Sequence, residues 1–394
     1  MNYETFTSKN LLNVIPSASM NISEKVKEIK KRGNDIIDLS IGEPNFETPV
    51  YIKEAAINAL KNNKTHYTQS SGIPELRLAI ADKLRRENGL DFNPDNEIIV
   101  IPGAKQAIFY ALAAILNPGE EVLIPEPYWL SYPDMVRLIG ARPIGIPSRE
   151  ENSFKPEVQD LEKLVSPKTK ILIVNNPNNP TGLVWEKEDL QLIASLAEKY
   201  NFLIISDEIY EKIVFDGKKF TSLGNLTEAK ERTITVNGFS KAYAMTGWRI
   251  AYVAGPAKII SQISRVHQHV ATCASSLSQY AALSALSGPQ DEVASMVKEY
   301  QERRDILLEG FKKFKKIHFV RPAGTFYAFL NVKKLGKTSL EIARLFLEEL
   351  GIATVPGSAY GASGEGYLRL SFAVSKHDII KAVQRLEKHF SGGG

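Results

Sequence analysis

The stretch NGFSKAYAMTGWRI, Asn237 to Ile250, sets Lys241 just beyond a β-branched run, TITV, with Arg249 eight residues on. A lysine desolvated at the end of a buried strand is a good amine nucleophile toward an aldehyde. Asp207 follows the apolar run FLIIS, a costly place for a carboxylate unless something pairs with it, and Tyr210 lies three residues further on. Asn179 sits in NNPNNPTG, a turn made rigid by two prolines and a closing glycine, after another apolar run. In VIPGAKQAIFYAL a strand gives way at Gly103 to a helix starting near Ala104. Free amides at a helix start bind anions, phosphate most commonly. Each feature alone has a plainer explanation: Asp207 as a helix cap or structural ion pair, Lys105 as a solvated lysine, NNPNNPTG as a loop. Together they supply an amine for an aldehyde, an arginine and free amides for a phosphate, and a carboxylate for a pyridine nitrogen. That set describes a site for pyridoxal phosphate.

The elements that must position these groups are seven short apolar runs, at 97–101, 121–125, 142–146, 170–174, 202–206, 233–237 and 250–254. Several are apolar on both faces, as buried and mostly parallel strands are. Amphipathic stretches such as AKQAIFYALAAIL and KEDLQLIASLAEKY alternate with them. The pattern predicts an α/β fold, a mostly parallel seven-stranded sheet flanked by helices, with the chemical residues at strand ends, where ligands of such sheets bind. From residue 291 the texture changes to a long charged helix, a second helix SLEIARLFLEEL and a strand YLRLSF, a smaller α+β domain. The expected division is an N-terminal segment, 1–45, packing with the small domain; a large cofactor-binding domain, 46–290; and a small domain, 291–394.

Composition narrows the classes. With 49 basic and 45 acidic residues the charge is too balanced for a nucleic-acid partner. One cysteine, Cys273, forbids an internal disulfide and fits a reducing cytoplasm. No apolar run reaches membrane-span length, and the first residues lack a signal peptide's apolar core. No dinucleotide or Walker-type glycine motif occurs. The six histidines show no metal-ligand spacing, so no metal is expected.

Along nearly its whole length the chain resembles the class I aminotransferases of fold type I, pyridoxal-phosphate enzymes, and most of all their bacterial and archaeal aspartate aminotransferase branch. The resemblance rests on IGEPNFETP, HYTQSSGIPELR, PGAKQA, PEPYWLSYPDM, NNPNNPTG, SDEIYE, NGFSKAYAMTGWRIAY and YLRLSFA. It implies that Lys241 is the Schiff-base lysine and proton shuttle, that Asp207 pairs with the ring nitrogen, and that Asn179 and Tyr210 hydrogen-bond the ring's phenolic oxygen. It assigns the phosphate to Arg249 and the turn Gly103–Ala104–Lys105, ring stacking to Trp129, and the substrate α-carboxylate to Arg369 with the Gly42 backbone. Tyr67 would reach the phosphate of a neighbouring subunit, which makes the active unit a homodimer with shared sites. Gly238 stands where some relatives have a serine, leaving open whether Ser240 contacts the phosphate.

The implied activity is amino transfer from aspartate or glutamate to a 2-oxo acid; a broader aromatic or prephenate range and a β-lyase on the same fold are the alternatives. A fold-retaining regulator is disfavoured, because Lys241, Asp207, Arg249 and Arg369 are all present. Lys105, with Ser17 and Ser19 from the N-terminal segment, is the expected anchor for a distal carboxylate. Ile15 occupies a position where prephenate-accepting relatives tend to carry lysine, so prephenate is expected to be a poor acceptor.

Overall fold

A computed structural model describes residues 6–16 and 18–390, the side chain of Ser19 excepted. All seven apolar runs become strands of one sheet: β1 (Ile98–Ile101), β2 (Glu121–Pro125), β3 (Arg142–Ile146), β4 (Thr169–Asn175), β5 (Leu203–Asp207), β6 (Thr233–Gly238) and β7 (Ala251–Ala254). Their spatial order is β1-β7-β6-β5-β4-β2-β3. β7 runs antiparallel to both neighbours, β1 and β6; every other pairing is parallel. Consecutive parallel strands need crossovers, and the amphipathic stretches supply them as helices.

The strands are apolar on both faces because both faces are covered. On one side Ile99, Ile124, Ile171 and Ile205 pack with Ile108, Ala111 and Leu112 of the helix Ala104–Ile115 and with Ile260 and Ile263 of the helix Ala257–Val270. On the other, Leu123, Leu172, Val174 and Ile204 meet Leu190, Ile193 and Ala197 of the helix Lys187–Tyr200. Each such side chain fully removed from water contributes about 1.5–3 kcal/mol, so the sheet is a stiff base for groups at its strand ends.

The C-terminal part forms a four-stranded antiparallel sheet, in the order Val355–Pro356, Tyr367–Ser371, Tyr327–Asn331, His318–Phe319. It packs with the helices Asp291–Phe311, Ser339–Glu348 and Lys376–Phe390 through Leu307, Leu330, Phe346, Leu370 and Ile379. The short strand Ile37–Asp38 pairs in parallel with Ile352–Ala353. The N-terminal segment is thereby tied to a strand more than three hundred residues later. No helix among the described residues is long and apolar enough to cross a membrane.

Candidate active site

A cavity of about 430 Å³ opens at the strand ends of the large sheet, against the C-terminal part. Asp207 ends β5, and the β4–β5 register sets Asn175 directly beside it. The Asn175 amide donates to the Asp207 carbonyl at 3.1 Å and accepts from the Asn179 backbone N–H at 2.8 Å, which fixes the NNPNNPTG turn on the neighbouring strand. Both Asn–Pro bonds of that turn are cis.

Asp207 is buried, and burial pushes its carboxyl up to about 6. Two donors counter that push: the Tyr132 hydroxyl, at 2.6 Å from Oδ2, and the Ile209 N–H, at 3.3 Å from Oδ1. Lys241 lies three residues beyond β6. Burial brings its ammonium down to about 8, with the charges of Arg369 and Arg249 acting in the same direction and those of Glu43 and Asp207 opposing. Nζ donates to the Gly42 carbonyl at 2.6 Å, and Lys241 makes no ion pair among the described residues.

The helix Ala104–Ile115 starts as expected, and Gly103 before it holds φ +96°, a left-handed value that favours glycine. A Cβ built there would lie 2.5 Å from Arg249 Nη2, so a side chain at this position would push the guanidinium away from the helix start. Arg249 itself has φ +52°, uncommon for a non-glycine residue, and donates to the Thr246 carbonyl at 2.9 Å. Gly238 also has a packing reason: a Cβ there would lie 2.8 Å from Ala251 Cβ and 2.9 Å from its Cα on the facing strand. Ser240 lines the cavity.

Arg369 is buried at the far wall. Nη2 donates to the Ser40 carbonyl at 2.6 Å and Nη1 to Asn179 Oδ1 at 3.4 Å, while Nε has no partner among the described residues. Its guanidinium rides 4.4 Å from the Tyr327 ring centroid. Lys105 stands on the open side with its ammonium 5.0 Å from the Trp129 ring centroid. What burial it has, and then the charge of Arg249, hold it below the ordinary lysine range.

The fold thus brings Lys241, Asp207, Tyr210, Asn179, Arg249 and Arg369 around one cavity, with Ala104, Lys105, Trp129, Ser240 and Gly42. Gly103 is not among the lining residues; it caps the helix whose first residue, Ala104, is one of them. Tyr67 does not join them: it is 84 % exposed, in a shallow surface depression with His66 and Cys273. Ile15 is 68 % exposed and not part of the lining. Ser17 and the side chain of Ser19 lie outside the described residues. Two tyrosines of the cavity escaped the sequence reading. Tyr132 lies three residues after Trp129 within PEPYWLSYPDM, a spacing that sets both on one side of a helical turn. Tyr327, whose hydroxyl is 3.1 Å from that of Tyr210, carries no signal in its local sequence.

Comparison with known proteins shows the family. Residues 34–386 match the family model described as aminotransferase class I and II. An aspartate aminotransferase of Pyrococcus abyssi is 45% identical, over 92% of this chain and 94% of its own. A probable aspartate/prephenate aminotransferase of Thermus aquaticus is 41% identical, over 96% and 97%. The structure of the Thermus thermophilus aspartate aminotransferase with maleate superposes with a TM-score of 0.92 at 41% identity, over 97% of this chain and 99% of that one. The chain belongs to the class I and II aminotransferases, a family that implies pyridoxal phosphate as cofactor.

Proposed function

We propose that this aminotransferase takes its amino group from aspartate or glutamate and delivers it to 2-oxoglutarate or oxaloacetate, in two half-reactions served by bound pyridoxal phosphate. The donor set suits that cofactor. Gly103 leaves a cradle beside Arg249, the first amides of the helix Ala104–Ile115 lack intrahelical partners, and Asp207 is a buried carboxylate with no cation in contact.

When bound, the cofactor supplies an electron sink that makes the substrate Cα proton acidic. In this reading neutral Lys241 Nζ takes that proton and later returns one, so that a single fixed amine serves as base and acid. Asp207 holds its negative charge against a cationic ring nitrogen. Tyr210 and the Asn179 amide nitrogen donate to the ring's phenolic oxygen; Asn179 Oδ1 is already engaged by Arg369. Arg249 and the amides of Ala104 and Lys105 hold the phosphate, and Trp129 packs on the ring. Arg369 receives the α-carboxylate, with the Gly42 backbone lining the pocket.

The acidic substrate rests on one observation. The Lys105 ammonium lines the cavity and meets no carboxylate among the described residues. A cation at a helix start, with Arg249 nearby, is unfavourably placed until an anion joins it. The maleate bound by the Thermus thermophilus enzyme, a dicarboxylate, supports the same choice. A charged hydrogen bond of roughly 1.5–3 kcal/mol favours aspartate over alanine by about tenfold or more. The test is kcat/KM for aspartate, alanine, phenylalanine and prephenate in wild type and Lys105→Ala. Wild-type discrimination between aspartate and alanine in the variant would remove Lys105 as the anchor. Prephenate is expected to be poor in both.

The reading includes a homodimer with shared sites, supported by Tyr67 standing exposed outside its own chain's cavity. Mixing Tyr67→Ala with Lys241→Ala should give more activity than the two preparations separately, because one hybrid site is intact. A mixture no more active than its parts counts against sharing.

A further inference from the structure

We propose that Tyr132 is a positioning residue that keeps Asp207 ionised by donating its hydroxyl to Oδ2, and so sets how tightly the site holds a cationic ring nitrogen. Asp207 is 4 % exposed and Tyr132 1 %, so neither draws on bulk water. The carboxylate has few supports of its own. Its Oδ2 partner is the Tyr132 hydroxyl at 2.6 Å; its Oδ1 contact is the Ile209 N–H, long at 3.3 Å. The titratable groups facing it are Tyr132, Tyr210 and Lys241. Lys241 is not within ion-pair distance, and the Tyr210 hydroxyl is shared with that of Tyr327.

A phenol donating to a carboxylate favours the charged form, and burial favours the neutral acid. The two effects oppose one another here, as the directions of Asp207's shift record. The phenol itself stays a phenol: burial first, then the neighbouring carboxylate, push Tyr132 well above the ordinary tyrosine range, so it serves only as a donor. Its ring is fixed by an edge-on contact with Trp129, the centroids 5.2 Å apart at an interplanar angle of 81°. The helix Ser131–Leu138 carries it. The residue packed beside the cavity wall thus also aims the hydroxyl.

This inference rests on Asp207 facing the ring nitrogen, and its test separates the two. The first measurement uses ligand-free protein: the infrared carboxyl band of Asp207, identified by difference against Asp207→Asn, followed from pH 4 to 9. Wild type should titrate in the mildly acidic range and be ionised at neutral pH. Tyr132→Phe, which removes one oxygen and keeps the ring, should titrate at least about one pH unit higher. An Asp207 already protonated at neutral pH in wild type, or an unmoved midpoint in the variant, would overturn the proposal and leave the aminotransferase reading intact.

The second measurement compares equilibrium binding of pyridoxal phosphate with that of its analogue carrying carbon in place of the ring nitrogen. Tyr132→Phe should weaken the first by about tenfold and leave the second unchanged. Equal losses for both would show mere packing and sink the proposal. A wild type that binds neither compound would instead refute the cofactor assignment.

Discussion

Two lysines of this protein, Lys83 buried and Lys241 half-buried, sit near buried carboxylates, and they are treated in opposite ways. Lys83 is joined directly to Glu211, with Asn88 accepting from its Nζ at 2.8 Å and donating to Glu211 Oε2 at 2.7 Å. Glu211 is drawn below the usual carboxylate range even though burial pushes the other way, because Lys83 and Asn88 outweigh burial. Lys241 and Asp207 form no such pair. Their charges are left to the neighbourhood, and burial moves each toward its neutral form, the lysine down to about 8 and the aspartate up to about 6. A closed pair is a finished piece of structure. Two charges held in one cavity without touching are reserved for something else, and that distinction locates the site better than burial alone.

The sharpest way to break the comparison is to delete each lysine. Lys241→Ala should lose the visible absorbance of covalently held cofactor and reduce turnover on the order of 10³-fold or more, with its thermal midpoint little changed. Retained colour and near-wild-type turnover would end the assignment of Lys241.

Lys83→Met should do the reverse. It leaves Glu211 buried without its direct cation partner, at a cost of about 3–5 kcal/mol, while absorbance and kcat stay close to wild type at temperatures where it is folded. Adding Glu211→Gln should recover part of the loss in a denaturant titration. If Lys83→Met costs under about 1 kcal/mol, the pair is not the closed unit described.

The smallest effect follows pH. An ordinary lysine titrates near about 10.4; Lys241 is brought to about 8. The native, ligand-free protein therefore binds fewer protons than the unfolded chain between those values. Stability should rise with pH through that window, and the lysine's penalty is complete below about 8. The rate at which ligand-free protein captures pyridoxal phosphate should climb and level near pH 8, because the neutral amine is the nucleophile. A rate still climbing at pH 10 would mean an unperturbed lysine.

The floor of the site was legible in the sequence because a sheet writes its register into apolar runs. Once the seven strands are placed, Asp207, Lys241 and Asn179 have to emerge at or just beyond their ends. The rest depends on side-chain direction and on contacts distant in sequence. Tyr132 is one aromatic among several in PEPYWLSYPDM, and only packing decides that its hydroxyl reaches β5. Tyr327 meets Tyr210 from 117 residues away. The Lys83–Glu211 pair spans 128 residues and looks, in sequence, like two surface charges. The long helix predicted from Asp291 ends at Phe311, short of the lysine-rich stretch that follows, because apolar periodicity fades there and charge alone marks no boundary.

The pairing of Ile37–Asp38 with Ile352–Ala353 also fixes an order of events during synthesis. A ribosome makes the chain from its N-terminus, and domains fold as they emerge. The segment that supplies the Ser40 and Gly42 carbonyls leaves the tunnel some three hundred residues before its strand partner and Arg369. For most of translation the large sheet can assemble, with Asp207 and Lys241 already at its strand ends, while Ile37–Asp38 has no strand to pair with. Closing a loop of some three hundred residues is slow compared with forming local contacts. The nascent protein therefore gains Asp207 and Lys241 before it gains Arg369, and the cavity wall built on Ile37–Asp38 is set in place after the sheet it faces.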